Sequence, residues 1–344
     1  MSPVRVGVVG LGYWGPQLVR NLVEAPFAEL AWVCDARPEA REPIVRRYPG
    51  VAHTADVEDL LRDDSLEAIV LATPIGTHYD LARRALDAGK HTFVEKPLAA
   101  SLAEGAELVA ASRELDLVLM PGHTFLYSPP VQTIRELIRS GRLGDIYFVS
   151  SSRVNLGLHQ SDASVIWDLG PHDFSILSYW LGEAPARVSA LSRSCVMPGT
   201  PDVAFINLEY ESGVVAHVEL SWLAPSKLRR TTIVGSQQMV VYDDTSIEPV
   251  RIFDSGVDLP TPGTFGEYRL TYRTGDIVSP RVEIAEPLSL ELADFCAAIR
   301  DGTEPRSNAQ LGLEVVRIVE TAERSLAEGG AALRVPDVVR PDAR

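Results

Sequence analysis

The sequence predicts an α/β domain with a parallel sheet covered on both faces, followed by an α+β domain with a large, mostly antiparallel, open-faced sheet. Two observations predict this. Over the first third, short and almost wholly apolar runs alternate with segments of helical spacing, and strands apolar throughout are strands buried on both faces. After about residue 122 that alternation stops, and strand-like stretches follow one another with turn signals between them. The 344 residues suit two domains, read as 1–122 and 123–344, with the C-terminal helices able to pack back on the first.

In order, Val4–Val9 reads as a strand and Pro16–Glu24 as a helix with Leu18, Leu22 and Val23 on one face. Leu30–Cys34 is a second strand, Glu39–Tyr48 a helix despite Pro43, and Val57–Leu61 a short helical piece. Ala68–Ala72, Thr92–Val94 and Val118–Met120 are strands, separated by helices at Tyr79–Ala88 and Leu102–Glu114. Beyond them come a helix at Pro130–Ser140, a strand at Ile146–Arg153 and a helix at Phe174–Leu181 closed by Gly182. Five strands follow at Arg187–Ser194, Val203–Tyr210, Val214–Trp222, Arg230–Val234 and Met239–Asp243, with Ser212-Gly213 as a hairpin turn. Residues 254–287 read as irregular, and helices at Leu288–Arg300 and Ala309–Ala327 close the chain.

Composition excludes several classes. No apolar run approaches the length of a membrane helix. The N-terminal segment moves straight into a strand pattern without signal-peptide order, so a cytoplasmic location is expected. Cys34, Cys195 and Cys296 are far apart and show no metal-ligand spacing, so neither zinc nor a disulfide framework is expected. A net charge of −15 disfavours nucleic acid and anionic membranes as partners. Lys90, Lys96 and Lys227 are the only lysines among many arginines, which hints that a lysine is kept where an amine is required.

Gly10-Leu11-Gly12-Tyr13-Trp14-Gly15 matches GxGxxG, and it follows a buried-strand pattern and opens a helix. The first glycine permits a tight turn, the second lets backbone approach a pyrophosphate, and the third lets helix and strand pack closely. The helix N-terminus adds N–H groups and positive potential. Asp35 ends the second strand, 20 residues after Gly15, where a carboxylate accepts the ribose hydroxyls of NAD and repels the extra phosphate of NADP. Arg37 pulls the other way, since an arginine there can hold that phosphate. NAD is favoured over NADP.

Glu95-Lys96-Pro97 follows another strand end, the edge where such sheets bind ligands. Asp168 precedes His172 by four residues, so both lie on one face if the segment is helical. Oxidising a secondary alcohol needs a base titrating near neutrality, which histidine supplies, and a cation such as Lys96 to stabilise the developing alkoxide. Structural roles stay open beside these: Asp168 as a cap of a helix beginning near Gly170, His172 as a core histidine, Lys96 as a surface charge. Arg153 and Asn155 are candidates for substrate contact; Trp222 and Tyr210 read as core.

With Thr73-Pro74 followed by His78, these motifs stand in the order and approximate spacing of one family. The chain resembles the Gfo/Idh/MocA oxidoreductases, named for glucose–fructose oxidoreductase and inositol dehydrogenase, over nearly its whole length. The resemblance implies Lys96, His172 and Asp168 as catalytic residues. It implies cofactor contacts from Gly10, Gly12, Tyr13, Trp14, Gly15, Asp35, Arg37, Thr73, Pro74, His78, Glu95 and Lys96. The candidates for substrate contact are His123, Arg153, Asn155, Asp168 and His172, with a structural role equally open for His78 and His123, and no metal is expected because the Lys96/His172 pair already supplies the base and the cation. Gly122–Tyr127, Tyr272–Asp276 and Glu286-Pro287-Leu288 resemble the branch acting on nucleotide-linked or modified sugars. Arg306-Ser307-Asn308 departs from the Thr-Asp-Gly that relatives often carry. The expectation is NAD-dependent oxidation of a ring hydroxyl, best at position 3, of a sugar or aminosugar, by a homodimer or homotetramer joined through the second sheet. The alternatives are a ketosugar reductase, a nucleotide-sugar dehydrogenase and a non-catalytic dinucleotide sensor.

Overall fold

The computed structural model describes residues 2–157, 159, 163–258 and 270–337. The chain divides into two compact units. The first comprises Met1–Ser128 and Ala285–Arg317, and the second Pro129–Ile284 and Ile318–Arg344.

The first unit begins β1 (Val4–Val9), α1 (Gly15–Glu24), β2 (Ala28–Cys34), α2 (Pro38–Arg47), β3 (Ala52–Thr54) and α3 (Val57–Leu61). It continues β4 (Ala68–Leu71), α4 (His78–Asp87), β5 (His91–Glu95), α5 (Leu102–Glu114) and β6 (Leu119–Gly122). The six strands form a parallel sheet in the order β3-β2-β1-β4-β5-β6. All four residues of β4 are buried, as a central parallel strand requires. A 3-10 turn at Thr124–Tyr127 follows β6. Against it packs α8 (Pro287–Asp301), which also meets α1. Tyr127 Oη donates to Asp294 at 2.7 Å, and the Arg306 guanidinium lies over the Tyr127 ring. The departure at Arg306-Ser307-Asn308 is thus built into this unit: Ser307 Oγ donates to the Pro121 carbonyl at 2.6 Å.

The second unit holds α6 (Pro129–Arg139), β7 (Ile146–Leu156), α7 (Val165–Leu181), β8 (Arg187–Arg193), β9 (Val203–Glu209) and β10 (Val215–Ser221). Then come β11 (Leu223–Gly235), β12 (Met239–Asp243), β13 (Val250–Asp258), β14 (Thr271–Val278), the end of α9 (Ala309–Ala327), which starts in the first unit, and β15 (Leu333–Arg334). Among the described residues nine strands run β14-β13-β12-β11-β7-β10-β9-β8-β15, and of these pairs only β10 and β7 are parallel. Alternation along β9 and β10 puts Ala204, Ile206, Leu208, Ala216, Val218 and Leu220 under α7. The other face carries Phe148, Leu191, Phe205 and Val215, all exposed. That face is mixed along β10, since Val215 alternates outward with His217 and Glu219.

Three sequence expectations change. Part of the stretch read as irregular is strand, because β14 is exposed along nearly its whole length and shows no alternation to read. The strand read from Arg230 begins at Leu223, through a stretch holding Pro225 whose pairing with β7 shifts register between Leu223 and Leu228, so no regular alternation announces it. The helix read from Phe174 begins at Val165 and continues through Pro171. Its N-cap is Ser164, whose hydroxyl faces the Trp167 N–H at 3.5 Å, so Asp168 is not a cap.

Candidate active site

In the first unit the glycine motif turns the chain from β1 into α1. Gly10 sits at φ +92°, and a Cβ there would lie 2.4 Å from the Ala72 carbonyl oxygen. A Cβ on Gly15 would meet the Gly10 carbonyl oxygen at 2.1 Å. At Gly12 the nearest atom would be Arg37 Nη2 at 3.9 Å. Packing therefore demands the first and third glycines, while the second leaves open space of the kind a phosphate needs. No side chain caps α1 and no acidic residue stands in its first turn, so its positive end suits an anion. Tyr13 is 83% exposed and stacks edge-on against Trp14. These features fit a dinucleotide.

Asp35 is held from several sides. The Leu11 N–H donates to Oδ2 at 2.8 Å and the Arg37 N–H to Oδ1 at 2.9 Å. The Arg37 guanidinium spans both oxygens, each at 3.1 Å. Burial pushes the carboxyl pKa up, but these donors outweigh it and hold it below the ordinary value.

His78 is buried, with Nδ1 2.8 Å from the Pro97 carbonyl and Nε2 2.9 Å from the Thr73 carbonyl. It ties the loop after β4 to the loop after β5; a buried tie, rather than an exposed cofactor contact, is the position it occupies. Burial, with the Lys96 charge, keeps its pKa below the ordinary value against the pull of the two carbonyls. Glu95 is buried and accepts the Lys96 N–H at 3.2 Å. Burial raises its carboxyl to about 7 even against the Lys96 charge. His123 is also buried, and neither ring nitrogen has a hydrogen-bond partner among the described residues. Burial, helped by Lys96, lowers it to about 3. Lys96 thus has three of the candidates read from sequence, His78, Glu95 and His123, within reach of its charge.

Glu291, absent from the sequence reading, joins them. It is fully buried on α8 and accepts from Thr124 Oγ1 at 2.6 Å. Burial, with the Glu95 and Asp294 charges, raises its pKa well above the usual carboxylate range. Its signal was available: Leu288, Glu291, Leu292 and Phe295 form one helical stripe, and a carboxylate on an apolar stripe is anomalous.

In the second unit Asp168 and His172 are both half-buried, one turn apart on α7. Gly170 between them leaves room for the Phe174 ring one turn further along the same helix, since a Cβ there would lie 2.8 Å from that ring. Trp222 is core, as read, but its Nε1 donates to Asp168 Oδ2 at 3.1 Å and fixes that carboxylate. Tyr210 is core. Half-buried Asn155 is close to the same indole: a Cβ on Gly157 would touch Trp222 at 2.8 Å and Asn155 Oδ1 at 3.1 Å. Arg153 points to the helix-covered face and pairs with buried Asp173, Nε to Oδ2 at 2.5 Å. Among the described residues no group of three or more His, Cys, Asp or Glu is placed to hold a metal, and no helix is long and apolar enough to cross a membrane.

The raised carboxyls set a pH dependence. Between pH 4.5 and about 7 the folded protein keeps a proton on Glu95 that the unfolded chain releases, and Glu291 acts in the same direction. Stability conferred by these groups should therefore fall as pH rises through that window. Glu291→Gln, which mimics the protonated acid, should lose less. Urea midpoints at pH 5 and 8 measure this, and an equal fall in both proteins would contradict it.

Comparison with known proteins places the chain. Residues 4–123 match the family model "Oxidoreductase family, NAD-binding Rossmann fold", and residues 131–241 the "GFO/IDH/MocA C-terminal domain". The chain is 27% identical over 328 residues to scyllo-inositol 2-dehydrogenase (NAD(+)) of Bacillus subtilis, covering 91% of this chain and 92% of that one. It is 29% identical over 341 residues to D-xylose 1-dehydrogenase (NADP(+)) 2 of Haloferax volcanii, covering 96% and 99%. The structure of GenD2 from gentamicin A biosynthesis, in complex with NAD, superposes with a TM-score of 0.82 at 24% identity, covering 98% of this chain and 97% of that one. With both domain models matched in order on a glycine turn that fits a dinucleotide, the chain belongs to the Gfo/Idh/MocA family and is an NAD(P)-dependent oxidoreductase.

Proposed function

We propose that the protein oxidises a ring secondary hydroxyl, at position 3 of a sugar or aminosugar, with NAD as the hydride acceptor. The observation that carries this reading is the pair on α7: Asp168 and His172 on one face, one turn apart, with Asp168 held by Trp222. His172 takes the hydroxyl proton as the carbon–hydrogen bond breaks. To Lys96 the family resemblance assigns the cation that stabilises developing alkoxide charge. Asp168, already fixed, orients the substrate hydroxyl or the imidazole. Bound NAD supplies the electrophilic carbon that receives the hydride. The curated relatives support a cyclic polyhydroxyl substrate, since one is named for scyllo-inositol and another for D-xylose. A cationic aminosugar fits a chain of net charge −15, which attracts cations. The same residues serve the reverse reduction of a ketosugar.

Those relatives carry NAD(+) and NADP(+) in their names, so the preference rests on Asp35. A 2′-phosphate beside that carboxylate places like charges together. Arg37 already spends its guanidinium on Asp35. The second unit's open face, with exposed Phe148, Phe205 and Leu191, is the surface we assign to a homodimer or homotetramer.

Three measurements test these assignments. Lys96→Ala and His172→Ala should each lower kcat ~10²–10⁴-fold on a panel of cyclic polyols and aminosugars. Near-wild-type turnover in either would remove that residue from the mechanism. Asp35→Ala should narrow the NAD-over-NADP preference in binding titrations, and tighter wild-type binding of NADP would refute the cofactor assignment. Phe148→Glu should shift the mass seen by light scattering toward the monomer; an unchanged mass would exclude this face.

A further inference from the structure

Asp173 follows His172 directly yet serves a different face of α7, because one helical residue turns the side chain by about 100°. It is 4% exposed and its partner Arg153 is 5% exposed. Asp173 Oδ1 accepts from Ser151 Oγ at 2.7 Å, and Oδ2 from Arg153 Nε at 2.5 Å. Ser151 and Arg153 are two apart on β7, so they share its helix-covered face. Behind them Thr231 Oγ1, opposite Ser151 on β11, lies 2.8 Å from Ser151 Oγ. The carboxylate beside His172 is thus bolted to a central strand of the sheet from two directions.

Stability alone gives little reason for this. Taking two charges out of water costs several kcal/mol per ion, and well-packed apolar residues in their place are often neutral or stabilising. What an apolar contact lacks is direction. Direction matters here because the turn carrying the pair is a weak stretch of helix: Pro171 has no N–H to donate and Gly170 has no side chain. Regular helix bonding therefore fixes His172 less firmly than it would elsewhere. Resting on the reading that His172 handles the substrate proton, we propose that the Arg153–Asp173 pair is a positioning device for His172. It sets the rotation and register of α7 over β7 and so aims the imidazole, without touching substrate. This replaces the substrate contact read for Arg153 from sequence.

The test separates aim from stability. The double variant Arg153→Met/Asp173→Leu removes both charges in favour of apolar bulk, and its melting temperature should match or exceed that of the wild type. In imidazole NMR spectra of the full chain, the His172 resonance, identified by its loss in His172→Ala, should shift and broaden. The other six histidines should stay in place. Turnover should fall roughly 10²-fold with KM changed less than about threefold, since a misplacement of about 1 Å costs that much. Arg153→Gln/Asp173→Asn, which keeps directed hydrogen bonds, should recover at least tenfold of the loss and also covers the case in which the apolar variant does not fold. An unmoved His172 resonance in a stable apolar variant overturns the proposal. So does a rise in KM with kcat intact, which would make Arg153 a substrate contact. If His172→Ala turns over normally while the NMR change appears, the positioning stands and the role given to His172 in the reaction fails.

Discussion

The first unit depends on how closely backbone meets backbone where β1 gives way to α1. Gly10 is pressed against the Ala72 carbonyl, and Gly15 against the carbonyl of Gly10 itself. A β-carbon at either place would have to displace main chain rather than a yielding side-chain tip. From that closeness follow the aim of α1, its uncapped positive end, and the donation of the Leu11 N–H to Asp35 on the next strand. The cofactor-facing edge of the sheet is one connected consequence of missing methyl groups. His78 extends it by tying the loops that follow β4 and β5, so the segment bearing Lys96 is anchored to the same edge.

Both units also bury ionisable groups that a purely structural core would avoid. Around Lys96 stand Glu95, raised to about 7, and His123, lowered to about 3, with Glu291 behind Glu95. Low dielectric opposes charge on each, which keeps the histidine neutral and tightens the hold of both carboxyls on a proton. On the other unit the buried charges are paired instead, Arg153 with Asp173. The first arrangement surrounds the Lys96 charge with buried groups on which low dielectric opposes charge. The second spends its charges on geometry.

Much of this was legible in the sequence because it is local. The parallel sheet showed in its apolar strands, and the glycine turn in its spacing, since both arise from neighbours along the chain. Asp168 and His172 were legible as a pair only on condition of a helix, and Pro171 with Gly170 obscured that helix. The roles of Glu291 and Asp173, and the bond from core Trp222 to Asp168, went unread because the partners lie 167, 20 and 54 residues away. Lys90 is buried and its amine donates to the carbonyls of Asp63 and Leu66, each at 2.8 Å, whereas Lys227 is exposed. β14 had no alternation to read, because it is an edge strand exposed along nearly its whole length.

The split of the first unit across two stretches of chain bears on how the protein is made. Residues up to 128 leave the ribosome first, yet α8 and the start of α9, which complete that unit, come only after the whole intervening sheet. Until then Phe93 lacks its ring neighbour Phe295, and Thr124 lacks Glu291. Domains fold as units during synthesis, in N-terminal order where continuity allows. Here the nascent N-terminal segment must wait, with part of its core uncovered, while more than 150 residues are translated. The late arrival of α8, rather than stability once the chain is released, is where this topology constrains folding.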